Sequence, residues 1–196
     1  MVKIYEGRSL EDGVEALVAF LKARDRRIEY KILQEIIEKI MEKNDEDTRK
    51  SIAKFFTYLE ENEMIINGTH EMSWYDVNYK GKRVCRLSLD EECVNFLISI
   101  VGDYHTEYRD IPINEHMKQI AWENVTSCYN WVCSNSNKCG MGRTKMIFNK
   151  KFDNVCRYVM TFSDINIENL ECVKKLLEMR KNDILIDMRL NRELNF

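Results

Sequence analysis

The chain has 196 residues, 44% hydrophobic and 32% charged, with 30 Lys and Arg against 33 Asp and Glu and a net charge of −3. That length holds one ordinary domain, or a small helical module joined to a second domain. The near balance of charge excludes a global pull on nucleic acid or on an anionic membrane.

One proline and seven glycines argue against long structureless linkers and against a loop-rich β-sandwich. No apolar run approaches the ~20 residues that a bilayer span requires. The start, MVKIYEGRSLEDG, carries no apolar segment of the signal-peptide kind. Seven cysteines in a chain this long need not act as staples. They read as thiols or metal ligands of a cytoplasmic protein before they read as disulfides.

The first third has a helical period. Ser9 and Asp12 form a capping box, followed by an apolar stripe of Val14, Leu17, Val18 and Leu21. RDRR interrupts it, and a second stripe runs through Ile32, Leu33, Ile36, Ile37 and Ile40. Asn44 to Asp47 supply the next cap, with acids where the helix dipole favours them. Ile52, Phe55, Phe56 and Leu59 then complete a third helix. Residues 1–63 are expected to form a three-helix module and residues 64–196 an α+β domain.

After Glu63 the period changes. WYDVNYKGKRVCRLSL alternates Tyr75, Val77 and Tyr79, then Cys85, Leu87 and Leu89, with Gly81 at the reversal, which predicts a hairpin. CVNFLISIV predicts a third strand. NEHMKQIAWENVTSC predicts a helix capped at Asn114, with Met117, Ile120, Ala121 and Val125 inward. KMIFN and VCRYVMTF predict two more strands. A closing helix follows, with Ile167, Leu170, Val173 and Leu177 on its apolar face. The expected architecture is an α+β protein with an antiparallel sheet in the order βββ-α-ββ-α. The tail continues through Ile184, Ile186, Met188, Leu190 and Phe196, apolar residues that suit docking onto the body or onto a second subunit of a homodimer.

Residues 73–184, through WYDVNYKGKRVCRLSL, KMIFNKKFDNVCRYVMTF and VKKLLEMRK, resemble small bacterial α+β domains of the GyrI-like small-molecule-binding class. That resemblance implies a groove across a curved sheet that takes a small molecule or a partner, and it implies no catalytic residue. The three front helices followed by MIIN and a hairpin are also similar in order to a winged helix, which would make the chain a transcriptional regulator. Charge opposes that alternative. Residues 1–63 hold 12 Lys and Arg against 15 Asp and Glu, 12 − 15 = −3, and phosphate contacts dominate the affinity of DNA binders.

The stretch 128–145, CYNWVCSNSNKCGMGRTK, concentrates the chemistry. GMGRTK lacks the spacing of a P-loop, and a strand follows where a helix would have to stand. Cys128, Cys133 and Cys139, with Cys156 further along, form a candidate thiolate set for zinc, structural or with one open position for hydrolysis. The tight C-x2-C knuckle is absent, and the competing reading is two buried thiols and two loop thiols. No C-x-x-C and no histidine close in sequence supports redox or nucleophilic work.

The basic run from Lys138 to Arg157 holds six Lys and Arg against Asp153 alone. Its Arg143 and Lys145 are candidates for an acidic partner or ligand, beside the competing reading of a sheet edge protected by lysines. Trp74, Tyr75, Tyr79, Trp122 and Trp131, with Glu123, are the aromatic and carboxylate candidates for a pocket suited to a planar or cationic ligand. The function expected from the whole is non-enzymatic binding of a small molecule or protein partner by the sheet face and the Cys-rich loop.

Overall fold

The computed structural model describes residues 44–68, 74–89, 96–102, 108, 113–128, 142–163 and 165–193. The first two helical stripes, residues 129–141 of the Cys-rich stretch, and Phe196 lie outside the described residues.

Helix α1 (Glu46–Glu61) begins where the sequence places its cap: the Asp45 carboxylate accepts the Thr48 amide at 2.8 Å, and Glu46 and Asp47 fill the first turn. It ends at Asn62, with Glu63 in the left-handed region at φ 57°. The chain then enters β1 (Ile65–Gly68), β2 (Trp74–Tyr79), β3 (Lys82–Leu89) and β4 (Phe96–Val101). Lys80 and Gly81, at φ 47° and 76°, give β2 and β3 the two-residue reversal whose twist matches paired strands.

Helix α2 (Glu115–Glu123) is capped by the Asn114 side chain on the Met117 amide at 2.8 Å. Strands β5 (Val125–Ser127), β6 (Arg143–Ile147) and β7 (Lys150–Phe162) follow, and α3 (Ile167–Glu193) closes the chain. The named strands pair antiparallel, in the order β1-β2-β3-β4-β7-β5, with β6 also on the long β7. The turn from β6 to β7 uses Phe148 and Asn149, both at positive φ. A bulky residue seldom adopts that region. Here the Phe148 ring is buried edge-on against Tyr108, centroids 5.8 Å apart, which holds it in place.

The α+β class and the antiparallel sheet agree with the expectation, with two differences in element order. Residues 65–68 form an additional strand, pairing Ile66 with Val77 on β2. The expected helix over residues 114–128 stops at Asn124, whose side chain caps the Ile120 carbonyl at 2.8 Å. Val125 and Thr126 are β-branched and favour extended backbone. There the Asn124 carbonyl accepts the Thr161 amide at 2.9 Å and the residues join β7. Ile167, expected on the apolar face of the closing helix, is exposed, because it stands at the first position of α3 ahead of the turn that meets the sheet. Leu170, Val173 and Leu177 are buried as expected.

One core lies between the helices and one sheet face. Ile52, Phe55, Phe56 and Leu59 of α1 join Val77, Leu87, Ile98, Ile100, Met160 and Phe162 of the strands and Val173 and Leu177 of α3. The Phe55, Phe56 and Phe96 rings meet with centroids 5.8–5.9 Å apart. Tyr58 ties α1 to α3 by donating to the Lys174 carbonyl at 3.1 Å. The tail stays helical: Ile184 is buried, Met188 packs partly, and Ile186 and Leu190 are exposed. No helix among the described residues is long and apolar enough to cross a membrane.

Two outcomes test this account of the core. Phe55→Ala, at a fully buried aromatic junction, should cost about 3–5 kcal/mol in urea unfolding. The second concerns Cys172, whose thiol donates to the Met117 carbonyl at 3.6 Å and is pushed by burial from 9.0 to about 12. The unfolded chain ionises this thiol above its ordinary value while the folded chain holds it neutral. The unfolded state then binds fewer protons, and stability falls as pH rises from about 9 to about 12. Urea midpoints taken below and above pH 9.0 should show that fall, and Cys172→Ala should reduce it, the remainder coming from Cys85 and Tyr58, which burial also pushes up.

Candidate ligand pocket on the open sheet face

Strand alternation sends the apolar side chains of β2, β3, β4 and β7 to the helical face and leaves the residues between them on the other. The pairing then aligns those residues across the sheet. Asp76 stands opposite Arg86, Arg86 opposite Ser99, and Ser99 opposite Thr161. Thr126 on β5 extends the row by donating to Thr161 Oγ1 at 2.9 Å, and Thr161 and Ser99 share a hydrogen bond at 3.1 Å. Five strands therefore contribute one continuous polar row.

Arg86 is the centre of this row. Its Nε donates to Asp76 Oδ1 at 2.9 Å, and its guanidinium meets the rings of both Trp74 and Tyr158, 4.7 and 5.1 Å from their centroids. Arg83 pairs with the other Asp76 oxygen and donates from Nη1 to the Tyr158 hydroxyl at 3.3 Å. The Asp76 and Arg86 side chains are 10% and 16% exposed. A carboxylate so far from water needs such partners. Arg83 reaches this face because the register shifts between Val77 and Asn78, placing Asn78 opposite Arg83.

Around the row lies a cavity of about 330 Å³ lined by Trp74, Arg86, Ser99, Tyr158 and Thr161, with Glu123 and Asn124 at the end of α2 among the residues that complete it. The described lining holds no histidine and no cysteine. It offers hydroxyls, amide and carboxylate groups, an aromatic wall and a guanidinium, groups that can hydrogen-bond or stack against a bound molecule.

The structure separates the residues that the sequence grouped. Trp74 and Glu123 line the cavity. Tyr75 and Tyr79 are buried in the core on the opposite face, because they alternate with Trp74 along the same strand. Trp122 packs against the core, and its indole donates to the Ile147 carbonyl at 2.8 Å beneath the Lys150 ammonium, 4.9 Å from the ring. It fixes α2 to the β6–β7 turn and is not among the lining residues. Arg143 is exposed and Lys145 half-buried on β6.

Cys128 and Cys156 are buried. The Cys128 amide bonds the Asn154 carbonyl at 2.8 Å, and Cys156 clusters with Val101 and Tyr158. Trp131, Cys133 and Cys139 lie outside the described residues. No group of three His, Cys, Asp or Glu among the described residues is arranged to hold a metal ion.

Arg86, Ser99, Tyr158, Thr161 and Thr126 were absent from the sequence-based candidates. Their signal was present in strands that otherwise alternate apolar residues: Ser99 interrupts FLISIV, and Thr161 stands between Met160 and Phe162.

No family model, no curated protein and no solved structure matches this chain.

Removing the Asp76 carboxylate should strand two guanidinium groups. Asp76→Ala is expected to cost about 2–4 kcal/mol, the cost of an unpaired buried charge discounted for the partial exposure of Arg83. Denaturant unfolding checks this. Asp76→Asn should recover part of the loss by keeping an acceptor for Arg86 Nε.

Proposed function

We propose that this chain is a cytoplasmic, non-enzymatic binding protein that takes a small molecule in the cavity on its open sheet face. The observation that carries the reading is the aligned row of Arg86, Ser99, Thr161 and Thr126 facing a cavity of about 330 Å³ beside Trp74. Small-ligand sites commonly join an apolar or aromatic wall to a few convergent polar groups at about 300–1,000 Å³. The proposal shares its ligand class with the GyrI-like domains that residues 73–184 resemble. Exposed Arg143 on β6 and exposed Lys150 and Lys151 on β7 add a basic edge suited to an acidic protein partner.

A homodimer through the closing helix belongs to the same proposal. Ile186 and Leu190 stand one turn apart, each 53% exposed. A monomeric mass by light scattering would remove the dimer and leave the pocket reading untouched.

A thermal-shift screen of metabolites on the full chain tests the pocket. Hits should lose about tenfold in affinity with Trp74→Ala. Trp122→Phe should lower stability by about 1 kcal/mol, through the lost bond to Ile147, and leave affinity unchanged. Hits insensitive to both Trp74→Ala and Thr161→Val would place binding elsewhere and sink the reading.

A further inference from the structure

The chemistry of Arg86 narrows what the pocket takes. A guanidinium carries five N–H donors in a planar fork. Asp76 engages Nε, and the amino groups of Arg86 have no hydrogen-bond partner among the described residues, while the side chain lines the cavity. Contact with the Trp74 and Tyr158 rings restricts the motion of the fork. An arginine held in this way presents a fixed edge that matches two oxygens of a planar anion. Resting on the pocket reading above, we infer that the ligand is a small organic carboxylate whose flat body lies along Trp74 and whose carboxylate meets Arg86.

Charge decides between carboxylate and phosphate. Asp76 carries one negative charge against the two positive charges of Arg83 and Arg86, so these three side chains together carry one net positive charge. One carboxylate neutralises it. A phosphate monoester brings nearly two negative charges, and among the described lining residues no lysine or helix N-terminus meets the second. Glu123 also lines the cavity but is exposed, so water screens its charge, and its Oε1 accepts from Gln119 at 2.6 Å. The hydroxyls of Ser99 and Thr161 supply the remaining polar contacts beside the fork. Thr126 donates to Thr161, which leaves the Thr161 proton for Ser99 or for a ligand oxygen.

The test uses three matched probes on the full chain, by calorimetry at millimolar concentration: benzoate, its neutral isostere benzamide, and phenyl phosphate. Benzoate should bind about tenfold or more tighter than benzamide, the discrimination expected of a charge-assisted pair. Arg86→Lys keeps a cation near Asp76 but removes the fork. It should erase most of that preference by weakening benzoate much more than benzamide. If Arg86→Lys folds poorly, Ser99→Ala serves instead and should weaken benzoate more than benzamide. Equal affinity for benzoate and benzamide, both lowered by Trp74→Ala, would overturn the carboxylate assignment and keep the pocket. Phenyl phosphate outcompeting benzoate would overturn it in favour of a phosphoryl group. No binding of any probe would end the carboxylate inference, while the metabolite screen still decides the pocket reading separately.

Discussion

A sheet that receives helices on one face must present a different surface on the other, and strand alternation fixes which residues go where. In this chain α1 and α3 gather the apolar side chains of β2, β3, β4 and β7 into one core. Away from the register shifts, the intervening positions are thereby committed to the opposite side. Because the four strands pair in order, those positions line up, and the polar row from Asp76 to Thr161 follows from the same register that builds the core. Site and core are two faces of one set of hydrogen bonds.

The row is more than exposed polar sequence. Asp76 is nearly out of water and holds Arg83 and Arg86 together, so a change at one member alters the others. Trp74 and Tyr158 restrict Arg86 further by stacking on it. A long side chain that would otherwise sample many rotamers is placed before any ligand arrives, which lowers the ordering cost of recognition. The hydroxyls of Thr126, Thr161 and Ser99 are similarly linked to one another. The two register shifts nearby, at Val77/Asn78 and Ile100/Val101, bring Arg83 and Tyr158 into this arrangement.

Local signals in the sequence were legible. Asp45 and Asn114 cap their helices, Gly81 reverses the hairpin, and the apolar periods of α1 and α3 bury the residues they mark apart from Ile167. What was illegible depends on distant pairing. Val125 to Ser127 is too short to show a period, and it becomes a strand because β7 offers it a partner. The change of period at Glu63 marks a change of element, yet the apolar residues before and after it meet in one core. Tyr75 and Tyr79 were grouped with Trp74 by ring chemistry, whereas parity along the strand sends them to opposite faces. Parity would also have pointed to Arg86, Ser99 and Thr161, since each interrupts an apolar alternation. The bulges, which reset parity partway along a strand, have no mark in the sequence.

Strand β7 has a consequence for how the molecule comes into being. It alone joins β4 to β5 and carries β6, and its link to β4 pairs Ser99 with Thr161, 62 residues apart in the chain. During synthesis the strands β1 to β4 leave the ribosome long before β7, the next strand in the sheet, exists. Their apolar face waits longer still, for α3. Pairings that close long loops are slow, and the surfaces they leave uncovered in the meantime are sticky. A nascent chain of this design carries an unfinished sheet through much of its translation. Its yield in the cell should therefore respond to chaperone supply and to synthesis rate more strongly than the stability of the finished fold would suggest.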